Sequence, residues 1–64
     1  MEELSTLIRQ RRTELGLIQQ ELADLSGVGL NTVVALETGR GNPSLKTLRA
    51  ILDTLGLELT VRSR

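Results

Sequence analysis

The chain of 64 residues carries eight Lys and Arg against eight Asp and Glu, a formal net charge of zero, and has no Cys, His, Phe, Tyr or Trp. That inventory removes disulfides, thiolate and imidazole chemistry, the usual nitrogen and sulfur metal ligands, and aromatic stacking on bases. No cofactor is expected and no enzyme reading keeps its usual tools; Glu14, Glu21 and Asp24 read as ordinary exposed helix acids. The length allows one domain, near the lower limit at which a core alone sustains folding, so association with a second copy is expected to help. No apolar run approaches the ~20 residues that cross a bilayer, and the start MEELSTLIRQ, acidic and then amphipathic, is unlike a signal peptide, so the expected location is cytoplasmic.

Leu4, Leu7, Ile8 and Leu15 recur at a helical period, which predicts a first helix from about Glu2 to Leu15, with Gly16 placed for a left-handed cap. A short second helix, about Gln19 to Leu25, buries Leu22 and Ala23, the latter small where another backbone must come close; Ser26-Gly27 then turns the chain. The third runs from about Leu30 to Thr38 with Val33 and Leu36 inward, and stops at Gly39 and the loop Arg40-Gly41-Asn42-Pro43. Ser44 is an N-cap for a fourth, about Leu45 to Leu55, with the apolar stripe Leu45, Leu48, Ile51, Leu52 and Leu55.

The last piece, LELTVR, alternates apolar and polar residues as a half-buried strand does. A lone strand has no ladder partner, and burying Leu57, Leu59 and Val61 leaves an unpaired edge that invites another strand. Antiparallel pairing with the same strand of a second copy satisfies it and gives a two-fold homodimer. The expected architecture is therefore all-α, a four-helix domain over residues 1–56, followed by a dimerisation strand and tail over residues 57–64.

The sequence pI of about 6.2 is far from the basic value, above ~9, common in nucleic-acid-binding domains. The cations are nevertheless clustered: Arg9, Arg11 and Arg12 lie together, and Arg40 and Lys46 bracket the later loop. A dipolar surface holds phosphate without net charge. Two short helices hinged at Ser26-Gly27-Val28 suit a helix-turn-helix, whose second helix offers its N-terminal residues to base edges, with Gly27 as the permissive turn and Val28 as the apolar plug. Against this, the second helix pattern, GLNTVVALE, contains neither Arg nor Lys.

The run L-x-x-L-I-R-x-R-R-x-x-L-G-L-x-Q-x-E-L-A-x-x-S-G-V, then T-V-x-x-L-E-x-G, then N-P-S-L-x-T-L, resembles the lambda-repressor-like (Xre/Cro) helix-turn-helix family across residues 4–55. That resemblance implies base reading by Leu30, Asn31, Thr32, Val34 and Ala35. It implies phosphate contacts from Gln19, Gly29, Arg40, Asn42 and Lys46, with Arg9 and Arg11 as weaker candidates, and a structural salt bridge between Arg12 and Glu37. Asn31 is able to bond adenine N6 and N7 together, Thr32 offers hydroxyl or methyl, and the apolar readers suit thymine methyls. Two positions depart from the family pattern: Ile18 and Gly29 stand where hydroxyl residues usually cap the second and third helices.

The bare four-helix unit ending in L-G-L-E-L-T-V is similar to the HipB-like antitoxins. This implies an autoregulating, nucleoid-associated repressor that binds a palindromic double-stranded operator as a dimer and partners a HipA-like kinase toxin. Two alternatives stand beside it: a stand-alone transcriptional regulator, and a protein-interaction module that docks a partner on the apolar face of Leu30, Val34 and Ala35.

Overall fold

The computed structural model describes residues 2–63; Met1 and Arg64, the outermost members of the two expected regions, lie outside the described residues. The helices are α1 (Glu2–Glu14), α2 (Gln19–Ser26), α3 (Leu30–Glu37) and α4 (Leu45–Thr54). Each starts where the periodicity places it and ends one residue from the expected C-terminus, within the usual uncertainty of helix ends. At eight residues each, α2 and α3 are shorter than the ~12–15 residues an isolated helix needs, so burial is what holds them.

That burial is provided by Ile8, Leu22, Ala23, Val33, Leu36, Ile51, Leu52 and Leu55, with Leu4, Val28, Leu48 and Leu57 packed around them. Helix α2 packs on both α3 and α4, and α1 packs on α3. The fully buried Ala23 lies on α2, the helix pressed from two sides.

Three expected core leucines lie largely in solvent: Leu7 at 47% exposure, Leu15 at 44% and Leu45 at 60%. The cause on α1 is angular. Neighbouring residues on a helix point about 100° apart, so Leu7 and Ile8 cannot both face α3. Ser5 takes the inward position one turn before Ile8, at 4% exposure.

The helix starts are satisfied differently. Ser44 caps α4 as expected, its Oγ accepting from the Thr47 N–H at 3.1 Å. Ile18 has no side-chain acceptor, and only the return half of a capping box is made there, the Ile18 N–H donating to Glu21 Oε1 at 2.9 Å. At the end of α2, Gly27 is left-handed with φ 71°. Its N–H and that of Val28 close the helix onto the Asp24 and Ala23 carbonyls at 3.3 and 3.0 Å, while Val28 packs into the core below. Backbone and side chain together therefore fix the angle between α2 and α3.

The expected C-terminal strand is not formed: among the described residues, 57–63 carry no strand. One extended segment cannot build a ladder by itself, and among the described residues no second strand is present to pair with it. Leu57 instead ends α4, its N–H donating to the Leu52 carbonyl at 2.8 Å while its side chain packs on the core. Leu59 and Val61 are 42% and 92% exposed.

Candidate nucleic-acid interface

Helix α3 has two unlike sides. Val33, Leu36 and Glu37 are buried, whereas Leu30 and Asn31 are exposed and Thr32, Val34 and Ala35 are half-buried. Every residue expected to read bases is thus at least partly accessible, and the two expected core positions are sealed. Gly29 N-caps the helix with no side-chain cap; the Thr32 and Val33 N–H groups donate to its carbonyl at 3.1 and 3.4 Å, which leaves the first two amides of α3, those of Leu30 and Asn31, as the donors that suit an anionic oxygen.

The only charge on α3 is Glu37, and it is spoken for. Arg12 donates from Nε to Glu37 Oε2 at 2.6 Å and from Nη2 to Oε1 at 3.0 Å, a two-pronged pair, while its Nη1 donates to the Leu17 carbonyl at 2.7 Å. The hydrogen bond to Glu37, helped by Coulomb attraction and opposed by burial, raises the Arg12 guanidinium further above its ordinary value. Gln19 Nε2 also donates to Glu37 Oε1, at 3.2 Å. A carboxylate only accepts, so the amide orientation is set by its partner. One buried carboxylate therefore joins α1, the start of α2 and the end of α3, and its negative charge is neutralised away from any phosphate that α3 would approach.

After α3 the chain turns back along it. The Arg40 N–H donates to the Ala35 carbonyl at 2.8 Å, and the Arg40 side chain, Asn42 and Lys46 are exposed. Asn31, Thr32 and Ala35 from the helix and Arg40, Asn42 and Pro43 from the loop line one open groove of about 280 Å³. Amide, hydroxyl and methyl groups that suit base edges thus share a surface with a guanidinium that suits phosphate.

Arg11 is turned elsewhere. Its Nε donates to the Leu55 carbonyl at 2.9 Å, holding the end of α4, and its Nη1 lies 3.6 Å from Glu14 Oε1. This makes it a clamp between α1 and the end of α4; Arg9 is exposed on α1. The hydrogen bond from Gln19 to Glu37 is the brace on the recognition helix that the family resemblance implies for Gln19. The sequence reading missed the link between Ser26 and Thr54, whose hydroxyls lie 3.0 Å apart across α2 and α4; no local signal announces it, since 28 positions separate the partners.

A pair of short helices joined by a left-handed glycine, with the second helix half in the core and half open beside a cationic loop, defines a helix-turn-helix protein. The chain belongs to the helix-turn-helix family, whose Helix-turn-helix model matches residues 8–61. An uncharacterized HTH-type transcriptional regulator of Methanothermobacter thermautotrophicus is 51% identical over 55 residues, covering 86% of this chain and 80% of that protein. The cryptic phage CTXphi transcriptional repressor RstR of Vibrio cholerae is 38% identical over 55 residues, 86% of this chain and 50% of the repressor. The crystal structure of the restriction-modification controller protein C.AhdI from Aeromonas hydrophila superposes with a TM-score of 0.82 at 33% identity, covering 89% of this chain and 86% of that one. Among the described residues, no helix is long and apolar enough to cross a membrane.

Proposed function

We propose that this chain is a sequence-specific, double-stranded-DNA-binding transcriptional regulator that places α3 in the major groove. The observation that carries this reading is the shared groove: Asn31, Thr32 and Ala35 face the same opening as Arg40 and Asn42. Asn31, Thr32, Leu30, Val34 and Ala35 read base edges, and Gln19, the amides after Gly29, Arg40, Asn42 and Lys46 hold the sugar-phosphate backbone on either side. The absence of Arg and Lys from α3 then decides the kind of sequence read. Asn31 pairs with adenine and the apolar readers meet thymine methyls, so A·T steps dominate the site. Repression by occlusion of a promoter is the simplest consequence, in line with a relative named as a repressor.

The test is selection from a randomised duplex pool, followed by Asn31→Ala. The protein should enrich an A·T-weighted site, and the substitution should weaken that site by ~1–3 kcal/mol while leaving affinity for a scrambled duplex nearly unchanged. Equal discrimination by the two proteins would remove Asn31 from the reading surface; failure to enrich any sequence would end the proposal.

The regulator acts as a two-fold pair, so that two copies of α3 enter successive major grooves about 34 Å apart. Support comes from the apolar tail: Leu59 and Val61 border a depression with Leu45, all three exposed, rimmed by Arg49, Asp53 and Glu58. A rim that carries both signs of charge allows pairing with the same rim of a second copy across a two-fold axis. The double substitution of Leu59→Asp and Val61→Asp should leave the helical fold intact, because both side chains lie outside the core, and shift the protein from dimer to monomer in sedimentation at micromolar concentration. A dimer unchanged by both charges would place the interface elsewhere. The likeness to HipB-like antitoxins depends on the bare four-helix unit together with a terminal strand, and that strand is not formed among the described residues, so a kinase-toxin partner is not part of this proposal.

A further inference from the structure

The loop bearing Arg40 and Asn42 meets α3 where both partners have almost no side chain. Gly41 has φ +88°, and a Cβ built there would have a single atom within 4 Å, the Ala35 Cβ at 3.2 Å. The Arg40 N–H pins the loop to the carbonyl of that same Ala35. Backbone and missing side chain therefore hold the loop against the middle of the reading helix, one residue on each side of the contact facing the groove.

We propose that Gly41 is a positioning residue for DNA recognition: it lets the loop seat on Ala35, and that seating sets the distance between Arg40 and Asn42 and the base-reading Asn31 and Thr32. The inference rests on the DNA-binding reading above. A duplex fixes the spacing between a base edge and its flanking phosphates, so both sets of contacts form together only if the protein matches it. A Cβ at position 41 pushes the loop outward by a few tenths of an ångström. Bound non-specifically, the protein shifts along the backbone and keeps its phosphate contacts. On its own site it cannot shift without losing register with the bases. The cost therefore falls on specific binding.

The experiment compares the unsubstituted protein, Gly41→Ala, Ala35→Gly and the double variant on the duplex that the unsubstituted protein enriches and on a scrambled duplex, with thermal unfolding recorded for each. Gly41→Ala should weaken binding to the enriched duplex about tenfold and to the scrambled one by less than about twofold. In the Ala35→Gly background the same substitution should change specific binding by less than about twofold, because the opposing atom is gone while the backbone strain at position 41 is the same in both backgrounds. Unfolding of Gly41→Ala alone would make the contact one that serves the fold, and would likewise overturn the role in recognition. Equal losses in both backgrounds, equal losses on both duplexes, or unfolding of both variants would overturn the role of Gly41 and leave the DNA-binding reading standing. Enrichment of no sequence by the unsubstituted protein would remove both.

Discussion

Arg12→Ala is expected to abolish most of the folded state at room temperature. Glu37 is 2% and Arg12 15% exposed as side chains, so this ion pair is buried on one side and only slightly wetted on the other. Removing one member of such a pair leaves an uncompensated buried charge and costs about 3–5 kcal/mol. A single core in a domain this small rarely supplies more than that. The Gln19 amide stays in place but provides only one neutral hydrogen bond to the stranded carboxylate. Urea unfolding followed by far-ultraviolet circular dichroism reads the loss directly. The decisive companion is the double substitution Arg12→Leu with Glu37→Leu, which removes both charges and should recover much of the stability, since apolar replacement of a buried pair is often neutral. A loss below ~1 kcal/mol for Arg12→Ala would instead be the behaviour of a surface pair and would contradict the burial. A folded-state value raised above the unfolded one gives a contribution fully present below the unfolded value and lost only as pH rises through the folded one. For a guanidinium both lie far above neutrality, so its half of the pair contributes evenly across the working range.

The second large effect concerns salt. Arg40→Ala combined with Lys46→Ala should reduce affinity for enriched and scrambled duplexes alike, and should flatten the dependence of log affinity on log salt by ~0.9 for each phosphate contact removed. Both side chains are exposed, and Arg40 makes only a long 3.3 Å contact from Nε to Thr38 Oγ1, so folding should be unaffected. The pattern separates two readings of the surface around α3. A DNA ligand released by salt must respond to these cations, whereas a protein docked on Leu30, Val34 and Ala35 through apolar contacts would hardly notice either salt or substitution. An unchanged slope would favour the docking module. The zero net charge of the chain makes this test sharper, because no general basic field exists to mask the loss of two local charges.

Features written in short-range code are legible in the order of the amino acids alone. Apolar spacing placed α1 to α4 within a residue at each end, Gly27 and Val28 marked the turn, Ser44 marked a cap, and Val33 and Leu36 fixed which side of α3 is sealed. Each depends on residues within about one or two helical turns, so period and turn chemistry suffice to read it. The family motifs extend this to the pairing of Arg12 with Glu37, which the structure shows as a two-pronged ion pair. Where equally suitable side chains go depends instead on long-range packing. Arg11 and Arg12 are neighbours of the same type, yet one clamps the Leu55 carbonyl and the other grips Glu37, because α1 presents them to different elements. Leu45 and Leu52 sit in the same amphipathic stripe, yet one is open to water and the other sealed. Periodicity reports which face of a helix is apolar, but not how far the neighbouring element covers it. The tail gives the sharpest separation: alternation at Leu57, Leu59 and Val61 predicted a strand, while the fold used Leu57 to close the core and left the other two exposed. A strand is a property of a pair of segments, so no single stretch of sequence can decide that it forms. The approach of Gly41 to Ala35 belongs to the same class, for it is the absence of two side chains that matters there, and only the packed chain shows what that absence admits.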